Sequence, residues 1–170
     1  MIPDYILDTI VNPYLPNQLS ASPLNHVQLQ MSPFYDPTVH GEYSAGRNND
    51  FIGWKQAYIL TNDIVHGGNY LVRKPVIVKL TIPKDAEVVF TDSKCRASYA
   101  KVEAIYPAVY FFDEENIGPL DVPHAFSFYN RSFKYIPGAV LFPDEFDRDP
   151  NAVCSHGIHF FRHYGEAYDY

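Results

Sequence analysis

A chain of 170 residues, 46% of them hydrophobic, is sized for one folded domain and too apolar to stay disordered throughout. The net charge is −7, with 13 basic residues that form no stripe or tail, and this excludes the clustered Lys and Arg that phosphate contact on nucleic acid needs. No apolar run approaches the length of about 18 residues that reads as a bilayer-crossing helix.

The start, MIPDYILDTI, lacks the basic region and long apolar run of a signal peptide. An intracellular, reduced setting is therefore expected, with Cys95 and Cys154 as free thiols. Tyrosine occurs 14 times, phenylalanine 12 and proline 14. This composition favours strands and stiff loops over long helices, and a surface built to touch another protein.

Residues 1–50 read as an extended arm. DYILDTIV suits a short strand or one helical turn, and Pro13, Pro16, Pro23, Pro33 and Pro37 then restrict the backbone at intervals. The apolar side chains Ile6, Leu7, Ile10, Val11, Leu15 and Leu24 would let this arm gain order by docking on a neighbouring subunit. YSAGRNND is turn-rich, and it places the start of the compact domain at Phe51.

From there the pattern is β-rich. FIGWKQAYIL predicts a strand, and TNDIVHGGNY a loop or hairpin connection around Gly67-Gly68. PVIVKLTIP is the clearest strand, bounded by Pro75 and Pro83, with Val76, Val78 and Leu80 on one face and Ile77, Lys79 and Thr81 on the other. KDAEVVFT predicts a turn into a short strand, Cys95 to Ser98 a loop, and Tyr99 to Tyr106 a strand. AFSFYNRSFKYIPG supplies strand residues around a turn at Asn130-Arg131, and AVLF is a short apolar piece before an acidic loop. The last strand is expected at His156 to Phe161, followed by the weakly helical YGEAYDY. Trp54 is expected in the core. The fold class is mainly β, or α+β with little helix: a small compact domain at 51–170 behind an extended proline-rich arm at 1–50.

Candidate chemistry concentrates in CSHGIHFFRHY. Cys154, His156, His159 and His163 offer four zinc-ligand types, but C-x-H-x2-H-x3-H is not a standard zinc spacing. On one strand His156 and His159 would also point to opposite faces, unless Gly157 breaks it. Cys95, Cys154 and His159 form a second set, either weak metal candidates or a cysteine nucleophile beside a base, with Arg96 able to lower a thiolate pKa. Buried thiols acting as small hydrophobes are the commoner arrangement. The acidic runs Asp113–Glu115 and Asp144–Asp149 lack the length and central glycine of a calcium loop. No phosphate-cradling glycine loop, serine elbow or H-E-x-x-H motif is present, and a Glu166–His159 acid/base pair has only chance proximity behind it.

VIVKLTIPKDA, KCRASYAKV, YIPGAVLFPDEFD, CSHGIHFF and GEA, in that order over residues 51–170, resemble an uncharacterised domain family of large DNA viruses. The family also occurs in bacterial, phage and eukaryotic proteins, often beside pentapeptide repeats. The resemblance singles out Lys94, Cys95, Arg96, Ala97, Gly138, Asp144, Phe146, Asp147, Cys154, Gly157, Ile158, His159, Phe160 and Phe161, and leaves out His156 and His163. It implies no settled activity; the proline-rich arm is extra to it.

Arm, aromatic content and viral resemblance together give the expectation of a minor structural, capsid-associated protein of a large DNA virus. It would bind other capsid proteins, the major capsid protein among them, through its arm and aromatic surfaces. Higher-order assembly would follow, in the virion and, during assembly, in the host cytoplasm, with no cofactor, no nucleic acid and no catalysis. Two alternatives stand beside it. One is an enzyme of nucleotide or ADP-ribose-transfer type, with a cleft near Arg96 and His159 and with Cys95 and Cys154 as further candidates. The other is a protein-binding adaptor, marked by an exposed aromatic patch.

Overall fold

A computed structural model describes residues 41–170, apart from 66, 67, 92, 93 and 153. The expected arm lies, up to residue 40, outside the described residues. The chain order is β1 (Glu42–Ala45), β2 (Phe51–Val65), β3 (Gly68–Ile82), β4 (Glu87–Phe90), β5 (Cys95–Ala97), β6 (Ala100–Pro107), β7 (Ala125–Phe126), β8 (Lys134–Tyr135), β9 (Val140–Leu141), β10 (Ile158–Phe160) and α1 (Tyr164–Tyr168). The fold is mainly β, with this one short helix among the described residues.

The strands form two sheets, one ordered β1-β4-β5-β10 and the other β8-β7-β2-β3-β6-β9. All their pairings are antiparallel. β3 is the spine of the larger sheet, paired with β2 along one edge and β6 along the other. Val76, Val78, Leu80 and Ile82 enter the main core, where they meet Val88, Cys95, Ala97, Ile158 and Phe160 of the smaller sheet. Each such fully buried aliphatic chain is worth about 1.5–3 kcal/mol, so this inter-sheet layer dominates stability. Ile77 looks the opposite way, into a second cluster with Trp54, Tyr106, Phe161 and Ala167. The alternation expected along β3 is the one observed.

Trp54 is buried and boxed by rings. Phe112 and Tyr164 each stand 5.5 Å from it edge-on, and they stack on one another at 4.1 Å. The Tyr164 hydroxyl accepts from the Val109 N–H and donates to the Pro107 carbonyl, both at 2.9 Å. α1 is thereby clamped to the end of β6, which explains an ordered helix of only five residues.

Among the described residues, the two sheets meet at one backbone bridge. Trp54 on β2 and Phe161, just past β10, exchange N–H···O bonds of 2.8 and 2.7 Å. Gly53 makes the approach possible: a Cβ there would lie 2.7 Å from the buried ring of Phe160.

Three expectations need correction. Among the described residues, paired strands begin ahead of Phe51: β1 is joined to β4 through the register Glu42↔Phe90 to Ala45↔Glu87. Pairing at a sheet edge supplies the order that its polar sequence does not advertise. Arg47 adds to this tie by donating to the carbonyls of Pro83 and Ala86, at 2.5 and 3.1 Å. Cys95 to Ala97 is a strand and not a loop, three residues being too few for periodicity to show. Pro75 does not bound a strand; it sits inside β3 where β6 stops covering it, an edge position that tolerates a missing N–H.

Gly53→Ala should overpack the seam and lower stability by about 1–3 kcal/mol, whereas Gly118→Ala, with open space around its Cα, should change it by less than about 0.5 kcal/mol. Urea denaturation of the two variants checks this.

Candidate functional site

The seam between the sheets sets the site. β5 and β10 pair with Arg96 opposite His159, and the flanking Cys95, Ala97, Ile158 and Phe160 turn into the core. Arg96 and His159 therefore leave the other face together, but their fates differ.

Arg96 is fully buried and spent on structure. Its Nε donates to the Asp147 carbonyl at 2.8 Å, and its two Nη groups donate to the carbonyls of Ala152 and Asp149. A guanidinium with five fixed donors suits this caging of a loop turning back on itself. Gly157 is needed beside it. Its φ is +149°, and a Cβ would meet the Arg96 Cβ at 3.0 Å. The loop closes through the Asp147 N–H on the His156 carbonyl at 3.0 Å.

His159 faces a cleft of about 680 Å³. Its Nε2 is buried with no hydrogen-bond partner. Burial, then the charges of Lys94, Lys55 and Arg96, pushes its pKa down to about 4, so the ring is neutral at pH 7.

Two lysines share the cleft. Lys55 comes from β2, on the odd-numbered face that also carries Phe51 and Ala57 into the inter-sheet core, and it is 5% exposed. Lys94, 9% exposed, precedes β5; its N–H donates to the Thr91 hydroxyl at 3.2 Å, and its carbonyl accepts from that hydroxyl at 2.7 Å. Among the described residues, neither ammonium has a carboxylate partner. What they meet is aromatic. Lys55 Nζ stands 5.5 Å from the Tyr129 ring and 5.9 Å from the Tyr170 ring; for Lys94 the distances are 5.9 and 5.3 Å. Contacts this near the ~6 Å limit are worth about 0.5–1 kcal/mol, too little to offset burial of a charge. Desolvation, then repulsion from Lys94, lowers the Lys55 pKa to about 8.

The two tyrosines are joined to Lys94 in one chain of hydrogen bonds. Tyr129 donates to the Tyr170 oxygen at 2.8 Å, and Lys94 Nζ donates to the same oxygen at 3.3 Å. Receiving from both, the Tyr170 phenol is held below its ordinary range; Tyr129, giving its proton to that bond, is pushed up to about 12. The exposed Cys154 places Sγ 4.0 Å from Lys94 Nζ. Asp144, Glu145 and His156 form the opposite rim, with Glu145 and His156 3.8 Å apart. The floor is cationic, the mouth aromatic and one rim acidic. An anion carried on a polar, hydroxyl-bearing body fits that gradient.

Of the sequence-predicted residues, His159 and Cys154 line the cleft, while Arg96 and the buried Cys95 do not. Burial is the first cause raising the Cys95 thiol pKa, which makes it a poor nucleophile. Among the described residues, no three of His, Cys, Asp and Glu gather where a metal could sit. His156 lies ahead of β10, not on it. Sequence reasoning missed Lys55, Tyr129 and Tyr170. Lys55 did leave a signal: it is the one charge within FIGWKQAYIL, at a position that alternation puts on the buried face.

A family model described as a family of unknown function, DUF5758, matches residues 42–167. The chain belongs to this family. No curated protein and no solved structure matches it.

Lys55→Met should stabilise the unliganded protein by about 1–3 kcal/mol at pH 7, since it removes a buried charge that lacks a counter-ion. An unfolded lysine keeps its proton up to about pH 10.5 and the folded Lys55 only to about 8, so between these values the unfolded state holds more protons and native stability rises with pH. The advantage of the variant should be full below pH 8 and fade towards 10.5, as urea denaturation at pH 7 and pH 10 reads directly. Arg96→Lys should instead cost about 2–4 kcal/mol, because carbonyls of Asp147, Asp149 and Ala152 lose charge-assisted partners that an ammonium cannot reach together.

Proposed function

We propose that the domain binds a small anionic ligand of phosphate class in the cleft floored by Lys55, Lys94 and His159. One observation carries this: two nearly buried ammonium groups face one cavity with no carboxylate between them among the described residues. A protein does not keep such charges without a partner unless something supplies it, because an isolated buried ammonium costs several kcal/mol. A phosphate would accept from both lysines, and the orphaned His159 nitrogen adds a third polar atom on the same wall. The exposed ring of Tyr129 offers a stacking face for a planar group, and Asp144 and Glu145 are acceptors for hydroxyls further out. Of the activities expected from the sequence, this stands nearest the nucleotide-type alternative, but with Lys55 and Lys94 in place of Arg96 as the cationic groups.

A second reading, an assembly part of a virus particle that binds other capsid proteins, is favoured by a different observation. Beyond Tyr58 and Val76, no further described strand flanks the outer half of the β2–β3 hairpin, and Leu60, Ile64, Tyr70 and Leu71 are exposed there. Such an arm of apolar side chains suits burial in a partner. A fixed copy number relative to the major capsid protein in purified particles, lost in Leu60→Asp/Leu71→Asp, would support it.

The anion reading is tested by calorimetric titration with pyrophosphate and with adenosine diphosphate. Binding of one equivalent is expected, weakened about ten-fold or more by Lys94→Met and reduced by added salt. Heats that are absent at millimolar ligand, or unchanged in Lys94→Met, would overturn it.

A further inference from the structure

Lys55 and Lys94 occupy one cleft but are not equivalent. Lys94 Nζ has a hydrogen-bond acceptor in the Tyr170 oxygen and the Cys154 sulfur near it. Lys55 Nζ has no hydrogen bond to any described residue; its surroundings are the two tyrosine faces and the like charge of Lys94. An amine without an acceptor, held off water beside a fixed cation, is the arrangement that makes a lysine a nucleophile towards carbonyl carbon. Lys94, donating to the Tyr170 oxygen at the cleft wall, is placed to hold an anion while Lys55 reacts.

We propose that Lys55 captures the carbonyl of a phosphorylated aldehyde, such as the open-chain form of a sugar phosphate, as a reversible imine. This rests on the reading of the cleft as an anion site, since Lys94 would receive the phosphate. The Lys55 nitrogen lone pair forms the C–N bond, and the carbonyl π pair moves to oxygen, which takes up a proton. The adduct nitrogen then gives its protons to a base and the hydroxyl leaves as water, so amine plus aldehyde yields imine plus one water with no other reactant. His159, neutral and with its Nε2 unpartnered, is the base on this wall and can return the proton to the departing hydroxyl. The lowered pKa of Lys55 supports the step: about a tenth of the amine is neutral at pH 7, against well under a thousandth for an ordinary lysine. A cavity of about 680 Å³ accepts a sugar-phosphate-sized body.

The test is borohydride trapping on the full chain, with pyridoxal 5′-phosphate and its phosphate-free match, pyridoxal, as probes, read by intact mass and peptide mapping. The expected result is one reduced adduct per chain, on Lys55, formed at least about ten-fold faster with the phosphorylated probe and competed by inorganic phosphate. Labels spread over exposed lysines, or an adduct that persists at the same yield in Lys55→Arg, would overturn the proposal. If phosphate binds calorimetrically and Lys55 is never trapped, the imine fails and the anion site stands. If Lys55 is trapped equally by both probes, Lys55 is the nucleophile but the anion reading fails.

Discussion

The pair of backbone hydrogen bonds between Trp54 and Phe161 is the constraint from which the rest of the molecule follows. It is a single bridge, yet it joins the strand that crosses the larger sheet to the end of the smaller one. Because side chains alternate, Phe160 falls into the inter-sheet core and Phe161 into the Trp54 cluster. Gly53 supplies the close approach, and Phe160 fills the space that a side chain there would take. Lys55, one residue after Trp54, and His159, two residues before Phe161, are then carried to the same cleft. The site is a consequence of the seam.

Two buried cations beside this seam show how differently the fold treats charge. Arg96 gives every arm of its guanidinium to carbonyls of one loop, so its burial is compensated and it gives the loop its shape. Lys55 and Lys94 have between them one tyrosine oxygen, a distant thiol and two aromatic faces. These compensate only part of the lost hydration, and the lowered Lys55 pKa is the measure of the remainder. Unequal treatment of like groups within one small domain separates a brace from a candidate site.

Much of the architecture was legible because it rests on period-two patterning. The β3 run from Val76 to Ile82, the strand at Ala100–Pro107 and the hairpin around Asn130 all carry it. What stayed hidden was short or relational. β5 has three residues and β1 four, and each is held by pairing partners that no local window contains. At the site, His159 and Cys154 were visible as reactive residue types crowded into one stretch. Arg96 was visible too, but its role as a brace depends on carbonyls about fifty positions away in the chain, at Asp147, Asp149 and Ala152. Lys55 and Tyr170 lie at opposite ends of the domain, and only the fold shows that one covers the other.

The residues singled out from the sequence motifs divide along the same line. Lys94, Asp144, Cys154, Gly157, Ile158 and His159 line the cleft, whereas Arg96, Asp147 and Phe160 brace its walls. Lys55, Tyr129 and Tyr170 are outside that set. Tyr129 follows β7 and Tyr170 lies past α1, so only the fold brings their rings and Lys55 of β2 over the wall that Lys94 and His159 form.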